Sequence, residues 1–184
     1  GVSVDDPDWE LAQLLSRSTG LNLGFQLLHA VQAFRPSDVV EVDREAASKI
    51  VWLDGLVQNP DRTVKNPNLL WSQKQLWLID HGASLGFHHD WTRVTEDSPR
   101  GSSWPAKDHV LQSRATQLCR VEVAPAARLD RRTLESALAG VPDDFLSVAS
   151  GDPSRRRRAA YVAFLWKRLK GPRPFVATDV TSAG

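Results

Sequence analysis

Three side chains near the middle of the chain have the types and spacing needed to transfer a phosphoryl group. Asp61 stands five residues before Asn66, and Asp80 follows fourteen residues after Asn66, directly before His81 and Gly82. A transferred phosphoryl group carries charge that must be neutralised, and Mg²⁺ held by one or two carboxylates and by the phosphates does most of this. Asp80 offers a carboxylate and Asn66 an amide oxygen, while Asp61 would orient the attacking hydroxyl and accept its proton.

The order of these residues is that of a protein-kinase active site. Kinases place a catalytic Asp five residues before a metal-binding Asn, and a second metal-binding Asp before Phe-Gly. Asp61 and Asn66 taken singly are also typical turn residues in a Pro-rich loop. That alternative explains Asp80 less well, because Asp80 ends the apolar run Leu76-Trp77-Leu78-Ile79, where a strand would normally stay hydrophobic. We therefore predict a catalytic Asp61 and metal ligands at Asn66 and Asp80.

Two cations in the same loop are candidates for neutralising the transferred phosphate. Arg62 and Lys65 stand one and four residues after Asp61. Lysine and arginine clamps stabilise the charge that develops in phosphoryl transfer, so one of the two is predicted to act in catalysis. The alternative is that both side chains project into solvent.

Six segments carry a resemblance that extends well beyond the site. The central ones are 52–62, 66–70 and 78–83, and the supporting ones are 107–111, 141–146 and 158–162. In these segments the chain resembles the HipA-like kinases of bacteria, from about Leu21 to Phe175. The resemblance implies a kinase-like fold, ATP as phosphate donor, Mg²⁺ as cofactor and a protein Ser or Thr hydroxyl as acceptor.

The chain departs from a complete kinase in its first part. A kinase also needs a small β-rich lobe with a Gly-rich loop and a phosphate-pairing lysine. Lys49 is the only lysine before Lys65 and sits in a helical pattern, and Gly20 to Phe25 is the nearest approach to a Gly-rich loop. The sequence therefore indicates a kinase large lobe alone. It is a fragment of a longer kinase, a degenerate protein, or a lobe completed by an upstream segment or by a partner.

Bulk properties indicate one soluble domain over residues 1–184, with a loose tail from about residue 175. The 184 residues are 41% hydrophobic and 24% charged, which is ordinary for a folded protein. A single cysteine, Cys119, excludes an internal disulfide framework and indicates a reducing, cytoplasmic location. No apolar run has the length of a membrane span, and no signal peptide is present. The net charge of +1 does not indicate a membrane or nucleic-acid partner.

The periodicity predicts a mostly helical α+β domain with one small β-hairpin at the site. The helices are predicted over 6–20, 42–58, 106–120, 130–139 and 153–170, and the hairpin strands over 68–71 and 75–79. Residues 92–103 are predicted to form a polar surface loop. In the helix over 42–58, Asp54 shares the apolar face and is expected to be buried in a hydrogen bond rather than catalytic. Asp108-His109 is likewise interpreted as structural, and Trp71 and Trp77 as core residues.

Three alternatives stay open at this point. The first is a non-catalytic pseudokinase or protein-binding module. The second is a metal-dependent hydrolase using His88, His89 and Asp90, which is disfavoured because adjacent residues of a strand face opposite ways and no third His lies at zinc spacing. The third is nucleic-acid binding through the run Arg155 to Arg158, which is disfavoured because these cations fit the solvated face of a helix.

Overall fold

The computed structural model describes residues 9–101, 106–146, 154–171, 173, 175 and 176 of the chain. Within these residues helices predominate over one small antiparallel sheet, so the predicted α+β class is confirmed. The helices are α1 (Trp9–Arg17), α2 (Arg44–Val57), α3 (Leu118–Val121), α4 (Val123–Arg128), α5 (Arg131–Ala139) and α6 (Ser154–Leu169). The strands are β1 (Val31–Ala33), β2 (Leu69–Ser72) and β3 (Gln75–Leu78).

Helix α2 leads the chain into the site. It begins at Asp43, whose carboxylate accepts the backbone N–H groups of Glu45 and Ala46 at 2.9 and 3.0 Å. It ends at Gln58, which adopts a left-handed conformation with φ 53°. The predicted apolar face that carries Asp54 is buried except for Val57, which is half-buried, and residues on other sides of the helix are buried as well. The buried set is Ala47, Ser48, Ile50, Val51, Trp52, Asp54, Gly55 and Leu56.

The predicted hairpin is confirmed within one residue at each strand end. Strands β2 and β3 pair antiparallel, with Leu69 opposite Leu78. Gln73 and Lys74 form the turn with φ of 50° and 65°, as a two-residue turn of this type requires. The third strand, β1, was not predicted. It pairs with the other edge of β2, and its three residues are all exposed, so the strand shows no alternation of buried and exposed residues.

The prediction of a long helix over 106–120 is wrong. Residues Ala106–Asp108 form a short 3₁₀ turn, and His109 then pairs as an isolated β-bridge with Thr63. The backbone N–H of Val110 donates to the carbonyl of Arg62 at 2.9 Å. The backbone of this segment thus hydrogen-bonds to the site loop and does not form an α-helix, and the next α-helix is α3. Helices α5 and α6 match their predicted ranges, with Asp130 and Gly140 capping α5 as expected.

The core is built around α2, which contacts both α3 and α6, and it includes Leu69 of β2. Phe175 and Val176 are buried in it, and Phe175 packs edge-on against Trp52 with ring centroids 5.9 Å apart. The chain is therefore still packed where the loose tail was predicted to begin, and the rest of that tail lies outside the described residues. Trp77, predicted as core, is instead 37% exposed. No helix in the described part of the chain has the length and apolar character to cross a membrane.

Candidate functional site

Asp61 lies in the loop between α2 and β2, and two asparagine side chains fix its carboxylate. The side-chain amides of Asn66 and Asn68 both donate to Oδ2 of Asp61, at 2.9 and 3.1 Å. The backbone N–H of Asp61 in turn donates to Oδ1 of Asn59 at 3.2 Å. Because both amides bond the same carboxylate oxygen, Oδ1 of Asp61 is left to accept a hydrogen bond from a hydroxyl.

Asn66 closes a tight turn of the same loop. Its backbone N–H donates to Oγ1 of Thr63 at 3.2 Å, and its carbonyl accepts the Thr63 backbone N–H at 2.9 Å. The side chain is exposed, with its NH₂ group bonded to Asp61. This arrangement leaves the amide oxygen, which is the atom a metal ion would use, as the outward acceptor of the loop.

Asp80 follows β3 and is exposed. It has φ 50°, a left-handed conformation, and its Oδ1 accepts the backbone N–H of Gly82 at 3.3 Å. The backbone N–H of Ile79 donates to the carbonyl of Asn68 at 3.1 Å, which extends the β2–β3 pairing by one bond. Asn68 and Ile79 therefore pair at the open end of the hairpin, with Asn66 two residues before this pair and Asp80 directly after it in the chain.

The donor set at this end of the hairpin fits Mg²⁺. Among the described residues no group of three or more His, Cys, Asp and Glu side chains is placed to hold a metal ion. Mg²⁺ in phosphate sites does not need such a group, because it takes one or two protein oxygens and fills its octahedron with phosphate oxygens and water. One amide oxygen and one carboxylate, both exposed, suit a magnesium–phosphate complex and would not hold zinc.

Arg62 points into the protein, away from the position predicted for a phosphate clamp. The residue is 1% exposed, and its Nε donates to Oδ2 of Asp54 at 2.5 Å. Its Nη1 donates to the carbonyls of Asn68 and Ile79, and its Nη2 lies 3.1 Å from Nε2 of His81. With these contacts the guanidinium is occupied inside the fold, so the geometry supports a structural bridge at Arg62 rather than contact with substrate.

Asp54 is the buried centre to which the loop is attached. Besides Arg62, it accepts from Nδ2 of Asn59 at 3.0 Å and from Nε2 of His109 at 2.9 Å. Burial alone raises the pKa of Asp54, but the hydrogen bonds from His109, Arg62 and Asn59 and the Arg62 charge outweigh it and hold that pKa below its ordinary value. Asp54 is thus a buried hydrogen-bonded carboxylate, as the sequence indicated.

His109 completes the buried cluster as a neutral imidazole. Its Nδ1 accepts the backbone N–H of Leu111 at 3.0 Å, so Nε2 carries the proton that is donated to Asp54. The sequence identified Asp54 and His109 as structural but gave no sign that they meet, because 55 residues separate them. The role of Asn68, the second amide on Asp61, was also missed, although its place in the same loop could have suggested it.

Lys65 is the cation of the loop that remains available to a phosphate. It is exposed, as are Val64 before it and Asn66 after it. Its position therefore agrees with the predicted clamp and equally with the alternative that it projects into solvent.

An apolar groove of about 800 Å³ opens beside Asp80. Its lining comes from two parts of the chain. One is the segment containing Leu23, Phe25 and Leu28, and the other runs from Trp77 in β3 to Gly82 and includes Asp80. An apolar ligand in this groove would therefore lie next to Asp80, one of the two predicted metal ligands.

The His88-His89-Asp90 segment is engaged in packing. Nδ1 of His88 makes a hydrogen bond with the hydroxyl of Tyr161, and burial with the neighbouring His89 and Arg157 charges lowers the pKa of His88. Asp90 caps the next 3₁₀ turn by accepting from the backbone N–H of Thr92 at 3.2 Å. These contacts give no support to the hydrolase alternative.

The arginine run 155–158 is divided between the surface and the interior. Arg157 is buried, and Arg158 donates to the carbonyls of Leu138 and Val141 and pairs with Asp143 at 2.5 Å. Arg158 thus holds α6 against neighbouring residues and Arg157 is buried, so these two arginines do not form part of an exposed cationic surface, which weakens the nucleic-acid alternative.

Comparison with known proteins identifies the family. The sequence model of the family described as HipA-like kinase matches residues 9–151, which is more than half of the chain and includes every site residue discussed above. No curated protein and no solved structure matches the chain. The chain therefore belongs to the HipA-like kinase family.

Proposed function

We propose that this chain is the catalytic large lobe of a Mg·ATP-dependent phosphotransferase that acts on a hydroxyl group, in the first place a Ser or Thr of a protein. The observation that carries the proposal is the carboxylate of Asp61, fixed by two amides at the open end of the hairpin that also presents Asp80. A carboxylate held in this way is oriented before any substrate arrives.

Asp61 would act on the attacking hydroxyl. With Oδ2 bonded by Asn66 and Asn68 at 2.9 and 3.1 Å, Oδ1 accepts the hydrogen bond from the substrate and takes its proton as the phosphoryl group is transferred. The two amides also fix the orientation of the carboxylate towards the incoming hydroxyl.

Asn66 and Asp80 would hold Mg²⁺ through the amide oxygen and the carboxylate. The ion, when bound, neutralises the charge on the phosphates. Lys65, exposed in the same loop, would add a positive charge close to the transferred phosphoryl group.

The groove beside Asp80 suits the base of ATP. Its lining by Leu23, Phe25, Leu28, Trp77 and Ile79 is the flat apolar kind that purine rings prefer, and its 800 Å³ is within the range of ligand pockets. A base lying there would be close to Asp80, which also lines the groove.

A second function, a protein-binding module, is favoured by the exposed apolar side chains of the first described segment. Leu23, Phe25 and Leu27 are 69%, 87% and 76% exposed, and Leu14 and Leu15 of α1 are 63% and 65% exposed. Apolar surface of this extent marks an interaction site. In the kinase proposal a small lobe from an upstream segment or a partner covers it, and in the alternative another protein does.

Calorimetric titration of the chain with Mg·ATP separates the two functions. We expect binding that weakens about tenfold or more in Asp80→Asn, while the matched control Asp97→Asn, at an exposed carboxylate whose side chain caps no helix, binds like wild type. Equal affinity of Asp80→Asn and wild type would contradict the metal assignment. Absence of binding in all three proteins would favour the binding module.

A transfer assay tests Asp61 separately from nucleotide binding. In the form of the protein that transfers phosphate, Asp61→Asn should lower turnover by about a hundredfold or more and leave ATP affinity unchanged, because the carboxylate acts on the hydroxyl and not on the nucleotide. Turnover of Asp61→Asn within about threefold of wild type would contradict the assignment of Asp61 as the catalytic residue.

A further inference from the structure

The guanidinium of Arg62 links three separate segments of the chain. Its Nε and Nη2 contact the carboxylate of Asp54 on α2 at 2.5 and 3.4 Å. Its Nη1 donates to the carbonyl of Asn68 before β2 and, at 3.4 Å, to the carbonyl of Ile79 after β3. Arg62 thus connects the helix that leads into the site with both strand ends that leave it.

Two of these contacts lie on either side of Asp80. The carbonyl of Ile79 precedes Asp80, and the imidazole of His81, 3.1 Å from Nη2 of Arg62, follows it. Asp80 itself adopts φ 50°, a left-handed conformation that Asp tolerates better than most residues with a Cβ but that still costs free energy. Such a conformation persists only where its surroundings over-determine it, and Arg62 holds the residue on each side.

Arginine is the side chain that this position requires. Asp54 balances its charge inside the fold, and the planar fork directs donors towards several acceptors at once. Because a guanidinium only donates hydrogen bonds, Nε2 of His81 accepts this one and the ring is neutral. A lysine could pair with Asp54, but a single ammonium group cannot also reach acceptors on both sides of Asp80.

We propose that Arg62 is a positioning residue that fixes the Asp80 segment against the Asp61 loop, with Asp54 and His109 anchoring Arg62 from within. The orientation of Asp80 is then set by the protein before any nucleotide binds. This inference rests on the proposed function, because the orientation of Asp80 matters for chemistry only if Asp80 binds the metal.

Hydrogen–deuterium exchange of the free protein tests the positioning without nucleotide. Arg62→Lys should accelerate exchange in the peptide covering residues 79–85 by about tenfold and leave α5 and α6 at wild-type rates. Arg131→Lys, the same substitution at an exposed ion pair on α5, should leave the 79–85 peptide unchanged. Unchanged exchange in this peptide, or acceleration throughout the protein, would overturn the inference, because the role would then be absent or merely structural.

His81→Phe tests the same contact from its other end. His81 is exposed, so this variant keeps the fold even where Arg62→Lys does not. It should accelerate exchange over 79–85 in the wild-type background. It should add nothing in the Arg62→Lys background, because the contact between Arg62 and His81 is already lost there. Full additivity of the two substitutions would show that they act independently and would overturn the inference.

The affinity for Mn²⁺, measured by electron paramagnetic resonance in the presence of ATP, connects the positioning with the site. We expect about tenfold weaker binding in Arg62→Lys, as is usual when a group that orients a metal ligand is lost. An affinity equal to wild type would overturn the inference. If wild type itself binds no Mn²⁺ with ATP while local exchange still responds to Arg62→Lys, the proposed function fails and the positioning of the Asp80 segment stands.

Discussion

Replacing Asp54 by Asn tests whether the site loop is held by a buried charge. The side chains of Asp54 and Arg62 are both 0% exposed, and that of His109 is 3% exposed. The substitution keeps the size and planarity of the side chain at position 54 but removes the negative charge. Arg62 would then be left as a cation inside the protein without an opposite charge at position 54.

The expected loss is large compared with the total stability of a domain. Removing one partner of a buried ion pair costs about 3–5 kcal/mol, against a free energy of unfolding of about 5–15 kcal/mol for the whole domain. For a chain of this size each kcal/mol lowers Tm by about 2–4 °C, so we expect Tm to fall by about 6–20 °C.

Urea denaturation followed by tryptophan fluorescence measures the effect. Glu135→Gln is the matched control, because it also removes one carboxylate charge but from a pair with Arg131 that is about half exposed. Such surface pairs contribute at most about 1 kcal/mol. A loss below about 1 kcal/mol in Asp54→Asn would refute the argument from the buried pair.

The pH dependence gives an independent check of the same carboxylate. The pKa of folded Asp54 lies below the ordinary value of 3.8, so the folded protein binds fewer protons at this site than the unfolded chain in that range. The stabilisation that the Asp54 carboxylate provides is therefore complete at pH values above 3.8 and is lost as the pH falls through the pKa of folded Asp54. The gap in stability between wild type and Asp54→Asn should shrink as the pH falls below about 4. A gap that stays constant into acid would contradict the lowered pKa.

Three further predictions follow from other parts of the molecule. Gly55→Ala should lower the free energy of unfolding, measured by urea denaturation, by about 1–3 kcal/mol, because a Cβ at this position would lie 2.7–2.9 Å from Phe175 side-chain atoms. The control Gly86→Ala should lower it far less, because the space around Gly86 is open. Arg168→Met should cost about 3 kcal/mol in the same assay, since the buried guanidinium donates to the Gly55 carbonyl at 2.6 and 3.0 Å and stabilises the contact between α6 and α2. Lys65→Ala should lower turnover by more than about tenfold in a transfer assay without changing stability, and an unchanged rate would remove it from the site.

The residues of the site could be proposed from the sequence because catalytic types recur at local spacings. The interval from Asp61 to Asn66 lies within one loop, and the hairpin that returns the chain to Asp80 is marked by alternating apolar residues and a polar turn. The family resemblance was read from the same short segments, and the match over residues 9–151 confirms the family. That Asn66 and Asp80 bind a metal and that Asp61 is catalytic remain predictions.

The helix predicted over 106–120 shows where local pattern fails. Its composition suits a helix, but His109 gains more from its hydrogen bond to Asp54 and from the β-bridge to Thr63 than from continuing a helical turn. Strand β1 was missed for a related reason, since its exposed residues are held by pairing with β2 and not by burial of one face. In both places the partner lies far away in sequence, and propensity gives way to tertiary contact.

The sequence by itself determined the family and the mostly helical α+β class, and it suggested residues that could act on phosphate, because these depend on residue type and short spacing. Only the tertiary structure decided what Arg62 does. Arg62 follows Asp61 in sequence, so its side chain could point to the phosphate or to the interior. Which direction it takes depends on whether the fold places a buried carboxylate within its reach. Asp54 and His109, eight residues before Arg62 and 47 after it, provide that buried acceptor and its support. Charge burial is tolerated only with such a partner, so the direction of the Arg62 side chain is a property of the fold.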